Sequence, residues 1–183
     1  MSYDPATYNQ QERTVTVKGE VFFDVTHNPE KPFKVQAGEV STTVLGTAFN
    51  VEAYPGENNT RVTLVRGKLR INTASNLFIL SPGQRMTYNL EKKSMDVSNV
   101  ETERTADWIN GQLVFNDLLL TDVFKRLETV YNIRIVTRGI TGLNTKHLTG
   151  TYEKRDPETI IKKISFIYDL KYTKQGDEFI VTL

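Results

Sequence analysis

GEVFFDV (residues 19–25) and VLGTAFNVEAYPG (residues 44–56) are the two runs on which the fold of the N-terminal half turns. Successive side chains of a β-strand point to opposite faces. Val21, Phe23 and Val25 therefore share one face, with Phe22 and Asp24 on the other. The same alternation holds for Val15 and Val17, for Phe33 and Val35, for Val44, Phe49, Val51 and Ala53, and for Val62 and Leu64. Turn signals separate these runs at about eight to twelve residues, the spacing of an all-β fold: His27-Asn28-Pro29, Leu45-Gly46, Tyr54-Pro55-Gly56, Arg66-Gly67 and Ser81-Pro82-Gly83. No stretch holds apolar residues at helical spacing for three turns. Residues 1–100 are therefore expected to form an all-β roll, sandwich or solenoid.

The texture changes after residues 101–107, a polar, aperiodic stretch that reads as a linker. Leu120, Val123, Phe124, Leu127, Val130 and Tyr131 recur at the spacing of an amphipathic helix. Ile160, Ile161, Ile164, Ile167 and Tyr168 do the same, and Asp156-Pro157-Glu158 supplies the start: a capping carboxylate, a proline where no donor is needed, and an acid at the positive end of the dipole. A shift of 37 residues lays Phe115 on Tyr152, Leu127 on Ile164, Tyr131 on Tyr168 and Ile135 on Tyr172. Residues 108–183 thus read as two strand–helix–strand repeats plus a last strand at 178–183. One unit cannot cover its own helix face, so the two are expected to pack their helices on a shared sheet. The chain is expected to be β-rich and two-domain, its C-terminal part an α+β domain of two βαβ repeats.

Composition narrows the function. The 183 residues carry 23 Lys and Arg against 22 Asp and Glu, a net charge of +1, so no field draws the chain to nucleic acid or a lipid surface. Cysteine is absent, which excludes disulfides and thiolate chemistry. No apolar run approaches the ~20 residues of a membrane helix, and no signal segment opens the chain.

Nothing catalytic stands out. His27 and His147 are the only histidines, lie in different proposed domains, and make no metal-ligand cluster. Glu20 and Asp24 share a strand face about 13 Å apart at ~3.3 Å per residue, beyond the ~5–9.5 Å of a glycosidase pair. The glycines lack the Gly-Lys-Ser/Thr ending of a phosphate loop. No catalytic, metal or cofactor site is expected, and no cofactor. Trp108 reads as an anchor at the entrance of the second domain.

GEVFFDV, PFKVQAG (32–38), VLGTAFNVEAYPG, VTLVRGKLRI (62–71) and LSPGQ (80–84), in that order and spacing, resemble the periplasmic region of the FecR-type anti-sigma regulators. WINGQLVF (108–115), residues 123–131 and LTGTY (148–152) resemble the small domain that follows FecR domains in Bacteroidetes, itself akin to the secretin and TonB short N-terminal domain. Two departures stand out. The leucine–proline–aspartate–glycine turn that usually opens the first domain is missing, so its first strands are expected to be lacking and a sheet edge left unpaired. Leu118 and Leu119 stand where a threonine–proline pair commonly introduces the helix.

The resemblance implies a periplasmic region of a single-pass inner-membrane anti-sigma factor, here without its cytoplasmic segment or membrane helix. It implies a partner, the signalling domain of a TonB-dependent outer-membrane receptor, and control of an extracytoplasmic-function sigma factor only through the cytoplasmic part. Neither nucleic acid nor membrane contact is expected of this stretch. The alternative is a periplasmic carbohydrate or small-ligand module, which needs Phe22, Phe78 and Tyr88 on one face. For docking, the terminal strand with Phe179, Ile180 and Val181 is expected to be a free sheet edge, with Leu118 and Leu119 as a second candidate contact.

Overall fold

The computed structural model describes residues 1–183 except 7, 11, 74–76, 104 and 154–155, the last of these leaving part of the approach to the second helix, and Arg104 of the linker, outside the described residues. Two compact units are present, Met1–Ala106 and Asp107–Leu183.

The first unit is a sandwich. Among the described residues ten strands run in order: β1 (Arg13–Thr16), β2 (Gly19–Asp24), β3 (Phe33–Ala37), β4 (Val40–Val44), β5 (Ala48–Ala53), β6 (Asn59–Arg66), β7 (Leu69–Asn72), β8 (Leu77–Leu80), β9 (Gln84–Asn89) and β10 (Ser94–Asn99). They form two five-stranded sheets, ordered β1-β3-β4-β7-β8 and β10-β9-β6-β5-β2. Of the three all-β forms open to the sequence, this is the sandwich, because inward residues of both sheets meet in one core: Val35, Val44, Leu69 and Ile71 from the first, Phe23, Phe49, Val51, Val62 and Leu64 from the second. Phe23 joins them, with ring centroids 5.0 Å from Phe49 and 5.5 Å from Phe33. The edge strand β1 is not bare: Ser2 exchanges two main-chain bonds with Thr16, at 2.9 and 2.8 Å.

The Leu45-Gly46-Thr47 turn explains the glycine in the decisive run. A Cβ on Gly46 would lie 2.6 Å from His27 Cα, so only glycine lets the loop after β2 close against this turn. That loop is pinned by the Val25–Thr47 bonds at 3.0 and 3.1 Å and by Asn28 N donating to Leu45 O at 2.7 Å.

The second unit contains β11 (Gln112–Leu119), α1 (Leu120–Tyr131), β12 (Arg134–Thr137), β13 (His147–Glu153), α2 (Pro157–Ile167), β14 (Lys171–Gln175) and β15 (Glu178–Thr182). α2 starts as its residues dictate: the Asp156 carboxylate accepts from the Glu158 and Thr159 amides at 3.1 and 3.0 Å, with Pro157 in the first turn. α1 ends on Asn132 in the left-handed conformation, its amide donating back to Glu128 O.

The expected shared sheet is instead two sheets, β11-β13 and β12-β15-β14. Each repeat gives one strand to each, so the repeats interlock instead of lying side by side. The registers reveal a local two-fold relation. Val114 pairs with Thr151, its own equivalent 37 residues on, flanked by Leu113–Tyr152 and Phe115–Gly150. In the other sheet Ile180 lies between the equivalents Val136 and Thr173, with β12 parallel and β14 antiparallel to β15. A two-fold axis through Ile180 requires that change of direction, because it reverses β15 while exchanging its neighbours.

Phe115, Leu127, Ile164, Tyr152, Phe179 and Val181 meet in one core. Leu127 and Ile164 are both 0% exposed, so Leu127→Ala and Ile164→Ala should each lower unfolding free energy by about 2–5 kcal/mol, as measured by denaturant titration. Losses below about half a kcal/mol at both would show the helix faces wrongly assigned.

The cap of α2 sets a pH dependence. The Thr159 hydroxyl bond, then the Glu158 and Thr159 amides, hold the Asp156 carboxyl below its ordinary 3.8. A group with a depressed folded-state pKa stabilises above its unfolded value and loses that contribution as pH falls through the folded one. The thermal midpoint of Asp156→Ala should therefore lie below that of the parent at pH 7, and the gap should close below about pH 4. A gap independent of pH would mean the carboxylate is not the cap.

Candidate docking surfaces

The three-stranded sheet of the C-terminal unit places its edges differently from the sequence expectation. β15, the terminal strand, is the central strand, hydrogen-bonded on both sides. Phe179 and Val181 are 1% and 0% exposed and belong to the core, and Ile180 is half-buried between two ladders. None of the three offers a free edge. The misreading has a simple cause: a strand at the end of the chain need not be at the end of its sheet.

Leu118 is likewise core, at 3% exposure, while Leu119 is half-buried. Neither lies on a helix face, since β11 runs on to Leu119. Asp117, at φ +50°, puts one extra residue into β11 between the Phe115–Gly150 and Leu118–Leu148 pairs. This bulge resets the alternation, so Leu113 and Phe115 point inward before it and Leu118 after it. The Asp117 amide donates to Thr149 Oγ1 at 3.0 Å. With no threonine–proline pair, the first helical amide, Leu120 N, is satisfied by Lys146 O at 2.8 Å.

The two real edges of that sheet are not equivalent. Arg134 N and Arg138 N donate to Asp177 O and Val181 O, both at 2.9 Å. Alternate residues of a strand bond to the same neighbour, so positions 177, 179 and 181 of the chain face β12. Positions 178, 180 and 182 then face β14, opposite Gln175, Thr173 and Lys171. The main-chain groups of Tyr172 and Lys174 are left pointing out of the sheet. On β12 the outward amide of Ile135 is already engaged: it donates to Glu128 Oε1 at 2.7 Å. A carboxylate from α1 thus occupies one outward amide of β12, while the outward amides of β14 are unspent.

Side chains frame that open edge. Glu158, from the first turn of α2, takes Lys174 Nζ at 2.9 Å and Tyr172 OH at 3.4 Å. The bond and charge of Glu158 raise the Lys174 ammonium above its ordinary 10.5, and burial foremost, then Glu158, raises the Tyr172 hydroxyl above 10. Both stay in their protonated, donor forms throughout the neutral range.

A second surface was not foreseen. Phe166 is 87% exposed and Ile167 55%; with Tyr152, Thr159, Lys162 and Lys163 they line an apolar groove of about 530 Å³. The helical spacing placed Ile167 on the buried stripe, but the helix ends there and the residue turns outward. An aromatic off the apolar stripe, beside two lysines, was the available signal for Phe166.

Other proposed sites do not assemble. Glu20 accepts from Asn50 Nδ2 and Tyr54 OH, both at 2.8 Å, while exposed Asp24 pairs with Arg66 at 2.8 Å. Tyr88 is buried in the sandwich core, Phe78 packs on that core from the other sheet, and Phe22 sits on the opposite face of β2, so the three do not form an aromatic platform. Among the described residues, no three His, Asp or Glu are placed to hold a metal ion.

The FecR protein model matches residues 2–70 and the "FecR, C-terminal" model residues 112–181, one on each unit. The chain belongs to the FecR family of anti-sigma factors. It is similar to two crystal structures, at 1.65 and 2.50 Å, of a "putative anti-sigma factor" from Parabacteroides distasonis. Each is 25% identical over 97% of this chain and 83% of that one, with a TM-score of 0.87. No curated protein matches it in sequence. FecR proteins are regulators of sigma factors, membrane-anchored and with periplasmic regions. Among the described residues here, no helix is long and apolar enough to cross a membrane.

In this FecR chain the edge assignment is open to measurement. In native-state hydrogen exchange, the Ile135 and Thr173 amides should be protected and those of Tyr172 and Lys174 should exchange fast. Glu128→Ala should release Ile135 without releasing Thr173. Protection at Tyr172 and Lys174 would show that β14 is not the open edge.

Proposed function

We propose that this chain is the periplasmic sensing region of a transmembrane anti-sigma factor, and that it receives its signal from a TonB-dependent outer-membrane receptor. Residues 1–100 would be the FecR-like domain, 101–107 the linker and 108–183 the docking domain. The sigma factor would be controlled through a cytoplasmic part of the protein. No chemistry is required of this region, and the family is regulatory.

The observation that carries the docking step is the open main-chain edge at Tyr172 and Lys174, opposite a β12 edge whose Ile135 amide is occupied by Glu128. An incoming strand gains main-chain bonds there without displacing a partner, and alternate side-chain pockets then set specificity. A signal passes only if the receptor's domain binds with different free energy in its two states. Strand addition suits that requirement, because the receptor's strand must be released and correctly aligned before any ladder forms.

The test is binding of the isolated signalling domain of the cognate receptor to this chain. Lys174→Pro removes an outward N–H and no ladder bond, so the fold should be retained on an edge strand; Lys174→Ala, which loses the same ion pair with Glu158 but keeps the N–H, should bind like the parent. Affinity of the proline variant should fall about tenfold or more, the worth of a lost main-chain bond and the clash that follows it. Unchanged affinity in Lys174→Pro, with loss in Phe166→Ser, would move docking to the α2 groove. Failure of the parent chain to bind any such domain would defeat the receptor reading itself.

A further inference from the structure

The first unit holds an open cleft of about 350 Å³ whose lining combines His27, Lys68 and Arg70 with Leu45 and Ile79, and includes no carboxylate. It lies on the outer face of the first sheet, where Thr43, Arg70 and Ile79 are paired across β4, β7 and β8. Arg70, on β7, and Lys68, just before that strand begins, both line the cleft, and two positions of chain keep their Cα atoms within about 7 Å.

Their charges are uncompensated. Elsewhere in this unit Lys34, Arg61, Arg66 and Lys93 pair with carboxylates, and Arg13, Lys31 and Arg85 bond neutral oxygens. Among the described residues neither Lys68 nor Arg70 has an ion pair or a side-chain hydrogen bond, and both are exposed. Asp24 lines the adjoining concavity with His27, but is engaged by Arg66 at 2.8 Å. Two like charges held side by side repel, and an anion between them relieves that repulsion.

The walls are fixed rather than pliable. The His27 loop is locked against Gly46, and Thr47 Oγ1 donates to Lys68 O at 2.9 Å, tying the base of the cationic strand to the turn. Beside the cations, Leu45 and Ile79 are 41% and 47% exposed and give the cleft an apolar lip. A volume of this size is at the lower end of ligand pockets, ~300–1,000 Å³.

We propose that this cleft binds a small organic anion: a carboxylate or phosphate carried on an apolar body, the charge between Lys68 and Arg70 and the body against Leu45 and Ile79. The site is independent of where a receptor docks on the second unit.

The experiment is an NMR titration of the full chain with phenyl phosphate, phenylacetate, phenol and inorganic phosphate. At least one aromatic anion should give saturable shifts of the Gly46, Thr47, Lys68 and Arg70 amides; the tighter of the two identifies the head group. Phenol and inorganic phosphate should bind at least about tenfold more weakly, each lacking half of the recognition. Lys68→Gln with Arg70→Gln should weaken the aromatic anion about tenfold or more without altering melting, and Lys92→Gln, on an exposed turn, should not. No saturable shift with either aromatic anion, inorganic phosphate binding as well as phenyl phosphate, or affinity within about twofold in the double variant would each overturn the proposal.

Discussion

The C-terminal unit depends on one strand being hydrogen-bonded from both sides. β15 takes β12 in parallel and β14 in antiparallel pairing, and it belongs to neither repeat. Without it, the second strands of the two repeats would have no common partner and their helices no common floor. Because Phe179 and Val181 point from this strand into the core beneath both helices, the same residues that close the sheet also close the hydrophobic layer. Ladder and core are therefore one cooperative element, which is why the strand that looks peripheral in the chain is the least dispensable in the fold.

The sequence made the elements legible and left their neighbours hidden. The period of 3.6 placed α1 at Leu120–Tyr131 and α2 from Pro157, where the structure has them, and alternation in GEVFFDV put Phe23 in the core. These are local facts, set by side chains a few residues apart. Which strand lies beside which is set by contacts across tens of residues, such as Leu113 with Tyr152 and Arg134 with Glu178, and no periodicity records them. Hence the repeat was visible at a shift of 37 residues while its interlocked sheets were not. Leu118 failed for a smaller reason: one residue at positive φ, Asp117, shifts the alternation by one, and an Asn-Asp pair within a strand is a weak cue for it.

Both units manage exposed sheet edges, by different means. β12 has its outward Ile135 amide taken by a side chain from its own helix. β1 receives the backbone of Ser2. β14 exposes four polar or charged residues among its five positions, Lys171, Thr173, Lys174 and Gln175, yet keeps its outward amides unspent. Edge lysines discourage indiscriminate pairing by making self-association of like charges costly, while leaving the main chain available to a partner whose own charges complement them. An edge that is chemically open but electrostatically selective is what the proposed strand addition requires, whereas a wholly plugged sheet offers no main-chain groups to a partner.

The sandwich applies the opposite strategy to its loops. Gly46 has no Cβ because His27 occupies that space, and Gly67, at φ +95°, lies against the same turn, with a Cβ there 2.9 Å from Gly46 O. Two glycines and a buried threonine thus weld the loop after β2 to the turns that follow β4 and β6. That rigidity sets the backbone from which Lys68 and Arg70 reach the mouth of the cleft, while their exposed side chains stay free to turn. What folding preorganises is the frame: the turn before β7 is set before any ligand arrives, so an anion binding there would order two side chains and no loop.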